Sequence, residues 1–557
     1  MTTLGINDGH DAGACLLDAG RIVAAVSEER LTGRKRQAGF PRAAIRYCLR
    51  EAGLDAHDVR RVLVAERSGR ALHRLLDRRY RRTDPCLPMN RRANRLSMIW
   101  QNAVAQRPPL AAMEQRLSIC ALRRSLREAG IFVAPELIDH HRAHALGAAC
   151  CSGFADALVV TMDAFGDGRS ATVWQWRESA LTPLRATAYP HSLALLYGLT
   201  TAHLGFVEGD EGKTAGLAAL GNPEATEPIF AALLMDADEE IRFRRFPSYA
   251  RLHYALAGFS AADVAAGLQQ CLERRVARFV SHWLARSGAR RLCLAGGLFA
   301  NVKLNQVTAE SGAVDDLFVF AHMGDGGLCV GAALAGDEPL PHAALFDPFL
   351  GPAARELTAA DAQRSDSHLL PLDDATCELL AELLARGEAI GLVNGRLEFG
   401  PRALGHRSIL FSAQHPATAQ QVSEMLGRPA IMPFAPVVRA AEIGDTTANP
   451  LWTALRFMTA TVTARAGLAE RFPVAVHADG SMRLQTVDAE GAPQLERLLR
   501  AYGRRVQPGL LINTSFNRHT APIVADTEAA VELYRQTPLA ALVGGATCLV
   551  KHGREAQ

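Results

Sequence analysis

The sequence predicts an α/β protein with a duplicated first domain followed by a second α/β domain, and three observations predict it. The stretch "TLGINDGHDAGACLLDAGRIVAAVSEE" reads as a buried strand, a polar Gly-containing turn and two further strands. A similar unit, "DALVVTMDAFGDGRSATVWQW", recurs about 150 residues later as an apolar strand, an Asp-Gly turn and an alternating strand. Beyond it, "LGPAARELTAADAQRSDSHLLPLDD" interrupts the pattern with Pro, Ala and polar residues. A helix, "TCELLAELLARGE", and a buried strand, "AIGLVNG", then open the second domain. At 557 residues the chain exceeds one ordinary core. A boundary is expected near 345–370, giving domains 1–350 and 365–557.

Composition narrows the class. A hydrophobic content of 48% with 21% charged residues is that of a globular protein in water. A net charge of +3 gives no general argument for nucleic acid or membrane as a partner. No apolar run approaches the roughly 20 residues that span a bilayer. "MTTLGINDGHD" lacks a basic leader with an apolar core, so no secretory signal is expected there. The 11 cysteines are scattered, with Cys150 and Cys151 adjacent, which favours reduced thiols in a cytoplasm over a disulfide framework. Among 61 basic residues only Lys35, Lys213, Lys303 and Lys551 are lysine. Each is kept either as a compact ammonium or by chance.

Each element then carries its own candidates. The first turn holds His10, which on its own reads as a turn histidine that packs or caps. Residues 70–130, opening "RALHRLLDRRYRRTDPC", read as an arginine-rich helical insertion with solvated faces. In "DHHRAHALGA", His140 and His144 stand at i and i+4, so a helix projects both imidazoles from one face. That pair is either half of a metal site or a helix decorated with histidine. Metal binding needs two more ligands from distant sequence. Asp163, at the end of "ALVVTMD", and Asp325, in "HMGDGGLCVGAAL", are the candidates, with a helix cap the alternative for Asp325. Two imidazoles and two carboxylates suit Fe(II), Mn(II) or Zn(II) better than magnesium alone.

"RLCLAGGLFANVKLNQ" is a strand, the Gly296-Gly297 pair, and a helix carrying Asn301 and Asn305. It either lets a backbone approach a bulky ligand or makes a tight turn. "EGDEGKTAGLAALG" offers Glu208, Glu211 and Lys213, but its glycine spacing is not that of a Walker loop. Strand–turn–strand units that face polar turns across a cleft begin each lobe of actin-like ATP-binding folds.

Taken together, the motifs resemble the O-carbamoyltransferases of the NodU/CmcH type. "GHDAGACLL", "SEERLTGRKRQAGFP", "HHRAHA", "MDAFGDG", "EGKTAGLAALG", "GGLFANVKLN" and "GDGGLCVGAA" follow that family's order and spacing. "EFGPRALGHRSIL", "MPFAP", "HADGSMRLQTV" and "NTSFN" continue it. The resemblance implies an actin-like, ribonuclease H-like duplicated first domain and a YrdC-like second domain. It implies that carbamoyl phosphate and ATP, with Mg2+, form carbamoyladenylate in the second domain, and that the carbamoyl group then passes to a hydroxyl in the first. Its metal ligands fall on His140, His144, Asp163 and Asp325, with iron, as Fe(II) or another divalent transition metal, the expected ion. His10 matches the candidate catalytic histidine and suits proton abstraction from an alcohol. Lys35 matches a lysine of the acceptor region that could steady developing charge. Gly296, Gly297, Asn301, Asn305 and Lys213 fall where the adenylate is held.

In the second domain the resemblance places Arg396, Arg402, Arg407, Ser408, Arg428, Arg483, Asn513 and Ser515 near carbamoyl phosphate or nucleotide, a role that rigid guanidinium forks suit. One departure matters. Where many members carry K-x-R-E-x-x-R-P-F-A-P, this chain reads "MLGRPAIMPFAP", so that Leu426 and Met432 replace two cations while Arg428 stays. Arg428 and Arg439 are the expected substitutes. Likewise Ala521 stands where an acidic residue is frequent.

The function expected is ATP-dependent O-carbamoylation of a small-molecule sugar or polyketide-type natural product in the cytoplasm, as in antibiotic biosynthesis. Two alternatives are a tRNA threonylcarbamoylation enzyme, which the near-neutral charge disfavours, and a nucleotide-binding scaffold without turnover. The insertion at 70–130 is expected to form part of the acceptor pocket. Neither membrane nor nucleic acid is an expected partner. The oligomeric state is left open, a homodimer among the states considered.

Overall fold

The computed structural model describes every residue except 69, 76–101, 208, 313, 338–339, 342–343, 430, 450–451 and 555–557. The core of the expected insertion, 76–101, and Glu208 therefore lie outside the described residues. The helices Ala71–Leu75 and Pro108–Glu128 flank that core.

The chain forms two compact units. The first comprises Met1–Glu29 and Arg36–Phe346, and the second Arg30–Lys35 and Asp347–Gln557. Lys35 thus groups with the second unit rather than with the histidine-bearing first one.

The first unit holds two five-stranded sheets with one topology. In the first sheet the spatial order is Arg21–Ser27, Gly13–Asp18, Thr3–Asn7, Arg61–Ala65, Pro135–Ile138. In the second it is Ala180–Ala188, Arg169–Arg177, Asp156–Gly166, Arg291–Ala295, Asp316–Val319. In both, the first three strands of the chain run antiparallel and the fourth and fifth lie parallel to the first. This is the duplicated ribonuclease H-like pattern of actin-like folds. The hairpins explain its legibility: Asp167 and Gly168 both take positive φ, 50° and 79°, as a two-residue hairpin turn demands.

Two short helices lie between the sheets. Helix Leu328–Leu334 packs on Thr3–Asn7, and helix His140–Cys150 packs on Asp156–Gly166 and Arg291–Ala295. The two helices also pack on each other, at Gly331. A Cβ there would stand 1.8 Å from the Ala143 carbonyl oxygen, so only glycine allows so close an approach. That contact brings the start of one helix beside the start of the other.

The second unit is built on an eight-stranded mixed sheet, ordered Ser367–Pro371, Thr547–Lys551, Ala541–Gly544, Ile390–Val393, Arg407–Ser412, Leu511–Ser515, Ala435–Arg439, Gln485–Val487. Helices Asp374–Ala385 and Pro493–Gly503 pack together, and Leu380, Leu384, Leu495 and Leu499 are fully buried in the core they share with the sheet. Among the described residues no helix is long and apolar enough to cross a membrane.

Gly331→Ala is expected to destabilise the protein by about 1–3 kcal/mol through overpacking. A lower urea midpoint at unchanged slope reads this out, whereas an unchanged midpoint would contradict the helix contact.

Candidate functional site

The interhelical contact assembles a cluster. His140 and His144 lie on the first two turns of helix His140–Cys150, which begins at Asp139, whose carboxylate accepts the Arg142 amide. Asp163 closes the apolar run of the second sheet's central strand. Asp325 opens a single 3-10 turn, Asp325–Gly327, that leads into helix Leu328–Leu334. Its side chain caps neither element, which removes the capping alternative. His140, His144, Asp163 and Asp325 each bring a ligand atom within 4.8 Å of the others. His144 Nε2 is 3.4 Å from Asp163 Oδ2 and 3.6 Å from Asp325 Oδ1, and His140 Nε2 is 3.7 Å from Asp325 Oδ1.

These separations are too long for good hydrogen bonds and right for groups sharing an ion. All four ring nitrogens of His140 and His144 are buried without a hydrogen-bond partner. Burial pushes the His140 imidazole down to about 4. Burial opposes charge on His144 too, but the carboxylates of Asp163 and Asp325 outweigh it and carry the ring to about 9. Asp325 is held well below the usual carboxylate range: burial opposes this, and His10 and His140 overcome it. The residues fit a divalent cation, because two buried carboxylates and two unpartnered imidazoles converge on one point.

His10 stands at the edge of this cluster. Its Nε2 is 3.0 Å from Asp325 Oδ2 and its Nδ1 is 3.2 Å from Asp11 Oδ2, and about half of the ring's surface is exposed. The Asp325 carboxylate raises its proton affinity. Asn7, which the sequence reading did not single out, ties the loop together: Nδ2 donates to the His10, Asp11 and Asp325 carbonyls at 3.1, 3.3 and 2.9 Å. Asp167 was also missed, since Asp-Gly reads simply as a turn. Its carboxylate accepts the His140, Arg67 and Ser68 amides and the Ser68 hydroxyl at 2.8–3.0 Å, fixing the start of the histidine helix.

The glycine turn meets the cluster through one bond, the Gly297 amide donating to Asp163 Oδ2 at 2.8 Å. Gly296, at φ 102°, lies against the Met162 carbonyl. Asn301 accepts the Leu304 amide at 3.1 Å and donates to Gln269 at 2.7 Å, and Asn305 donates to the Phe299 carbonyl at 2.7 Å. These bonds build the turn. Lys213 pairs with Asp210 at 2.8 Å.

Within the second unit, Arg402, Arg428 and Arg483 form a half-buried group. Burial lowers all three, and mutual repulsion adds to it: Arg402 acts on Arg428, which falls to about 10, and both act on Arg483, which falls well below the usual range. Among the described residues, Arg428 and Arg483 have no carboxylate partner. Arg428 is held by the Pro433 carbonyl at 2.6 Å, Thr514 Oγ1 at 3.3 Å and the face of Phe434 at 4.0 Å. The "MPFAP" stretch therefore positions Arg428, while Leu426 is a buried core side chain.

The other expected substitute, Arg439, is neutralised by Glu442 and Glu496 at 2.9 and 3.0 Å. Arg407 is fully buried, and its guanidinium donates to the Asn394, His406, Pro352, Gly395 and Ala525 carbonyls; Arg396 donates to those of Leu350 and Gly351. Both shape loops rather than offer a fork to an anion. Ser408 Oγ accepts the Gly405 amide at 3.0 Å, and Ser515 pairs with it across the sheet. Asn513 donates to the Ala403 carbonyl and to Gln485, which in turn donates to the Leu404 carbonyl. Glu398 accepts the Leu404, His406 and Arg407 amides at 2.8–3.0 Å. Gln485 and Glu398, both missed, thus hold the loop that carries Arg402. Lys35, which groups with the second unit, donates to the His519 carbonyl at 2.7 Å.

Two family models match the chain: Carbamoyltransferase N-terminus over residues 2–334 and Carbamoyltransferase C-terminus over residues 381–551. An uncharacterized protein of Synechocystis sp. is 30% identical, covering 96% of this chain and 94% of that one. Nodulation protein NolNO of Sinorhizobium fredii is 30% identical over 97% of this chain and 79% of its own length. Nodulation protein NolO of Bradyrhizobium diazoefficiens is 33% identical over 73% and 78%.

Asp163→Ala is expected to abolish bound transition metal, and Asp167→Ala to weaken it about 10–100-fold by freeing the histidine helix. Metal content after stripping and reloading checks both; full loading of Asp163→Ala would contradict the ligand set.

Proposed function

The chain belongs to the carbamoyltransferase family, and from that premise we propose that it carbamoylates a hydroxyl of a small-molecule natural product, using carbamoyl phosphate and ATP. The observation that carries the reading is the group of Arg402, Arg428 and Arg483, three half-buried guanidiniums that repel one another. Such a group is costly alone and is relieved by a polyanion, which matches the phosphates of both co-substrates. There the guanidiniums bind the phosphates and screen their charge while water releases phosphate from carbamoyl phosphate, the carbamate oxygen attacks the α-phosphorus of ATP, and pyrophosphate leaves as carbamoyladenylate forms.

The second step belongs to the first unit. The acceptor hydroxyl attacks the carbamoyl carbon, its proton passes to His10, and AMP leaves. Asp11 orients the imidazole through Nδ1. His140, His144, Asp163 and Asp325 would hold a divalent cation, Fe(II) in our reading, whose positive charge offsets charge on the adenylate oxygens. Asn7 and Asp167 keep the His10 loop and the histidine helix in place, so that little rearrangement accompanies the step.

The two steps separate by mutation. Arg483→Gln is expected to lower pyrophosphate formation about 10–100-fold, the worth of a charge-assisted hydrogen bond. His144→Ala is expected to keep pyrophosphate formation and lose transfer, read by mass spectrometry as the absence of a carbamoylated acceptor from a panel of hydroxylated compounds. Loss of both activities in both variants would contradict this division of labour.

A further inference from the structure

A second group of ligand side chains lies at the edge of the second unit's sheet. Strand Ser367–Pro371 is the edge strand and pairs antiparallel with Thr547–Lys551, Ser367 opposite Lys551 and His368 opposite Val550. His552 follows one residue beyond Lys551, so the register sets it across from Asp366 and diagonal to His368. The rings meet: His552 Nδ1 is 2.6 Å from His368 Nε2, with centroids 4.0 Å apart and planes at 82°. The opposite nitrogen of His552, Nε2, is 3.4 Å from Asp366 Oδ1. Asp366 takes φ 50°, a left-handed conformation that Asp adopts more readily than most residues.

We propose that His368 and His552 form a divalent transition-metal site, with Asp366 as the carboxylate that orients His552. The chemistry follows from which nitrogens face which groups. A ligating histidine usually donates its other ring N–H to a carboxylate, which fixes the tautomer and leaves the second nitrogen bare for the ion. Asp366 Oδ1, 3.4 Å from Nε2, favours the proton on that nitrogen by its charge, which leaves Nδ1, the nitrogen turned toward His368, for the ion. Metal–nitrogen bonds of about 2.0–2.1 Å at a tetrahedral angle place two ring nitrogens about 3.3 Å apart. Both side chains reach solvent, so a small rotation opens the pair to that spacing and water completes the coordination. Imidazole ligands select Cu(II), Ni(II) or Zn(II) over Mg2+ or Ca2+. The bound ion would staple the edge strand to the last strand of the sheet.

The test uses the full-length protein, stripped with a chelator and titrated with Ni2+ alone in equilibrium dialysis, beside His368→Asn, His552→Asn and Asp366→Asn. Wild type should bind one Ni2+ more than either histidine variant. Asp366→Asn should keep that stoichiometry with affinity about 10–100-fold weaker. The Ni2+-dependent rise in Tm should be smaller in the histidine variants, with carbamoyl transfer unchanged. Counting by difference makes the result independent of the first unit's cluster. Equal stoichiometry in wild type and both histidine variants would overturn the site, and unchanged affinity in Asp366→Asn would overturn the orienting role.

Discussion

Two imidazoles in the first unit are buried to 1% and 2% exposure, and none of their four nitrogens has a hydrogen-bond partner. A buried polar group left unmade costs about 1–3 kcal/mol, so a fold that keeps several together in one place must recover that cost elsewhere. Asp163 and Asp325 beside them make the recovery specific, because only a cation satisfies nitrogen lone pairs and carboxylates at once. Much of the surrounding construction serves this point. The close approach at Gly331 brings the two helices together, Asp167 anchors one of them, and Asn7 ties the His10 loop to the Asp325 loop.

The second unit states the complementary demand. Arg402, Arg428 and Arg483 are half-buried where their charges repel, and Glu398, Gln485 and Asn513 spend their hydrogen bonds on the loop that carries Arg402. One unit is organised around missing positive charge and the other around missing negative charge. In both, hydrogen-bonded side chains hold the charged groups in place, and such preorganisation keeps reorganisation costs out of a reaction.

Much of this was legible in the sequence because the signals are local. The i, i+4 spacing of His140 and His144, the Asp-Gly hairpin turns and the repeated strand–turn–strand unit follow from backbone geometry alone. What could not be read is which partner each polar group chooses. Arg407 and Arg396 look like phosphate forks in "EFGPRALGHRS", yet backbone carbonyls consume them. Arg439 looks like a spare cation until Glu442, three residues on, and Glu496, from across the fold, claim it. Lys35 groups with the second unit through contacts far away in sequence. Conversely, Asp167 and Glu398 collect backbone amides from loops that no spacing rule connects to them.

The central claim is that the arginine group serves a carbamoyl-activating site despite the altered "MPFAP" stretch. The most direct measurement gives purified full-length protein ATP and carbamoyl phosphate without an acceptor and follows pyrophosphate. The account predicts pyrophosphate formation that requires carbamoyl phosphate, at least one equivalent per enzyme. Pyrophosphate absent with carbamoyl phosphate present, both without an acceptor and with a panel of hydroxylated acceptors, would contradict it.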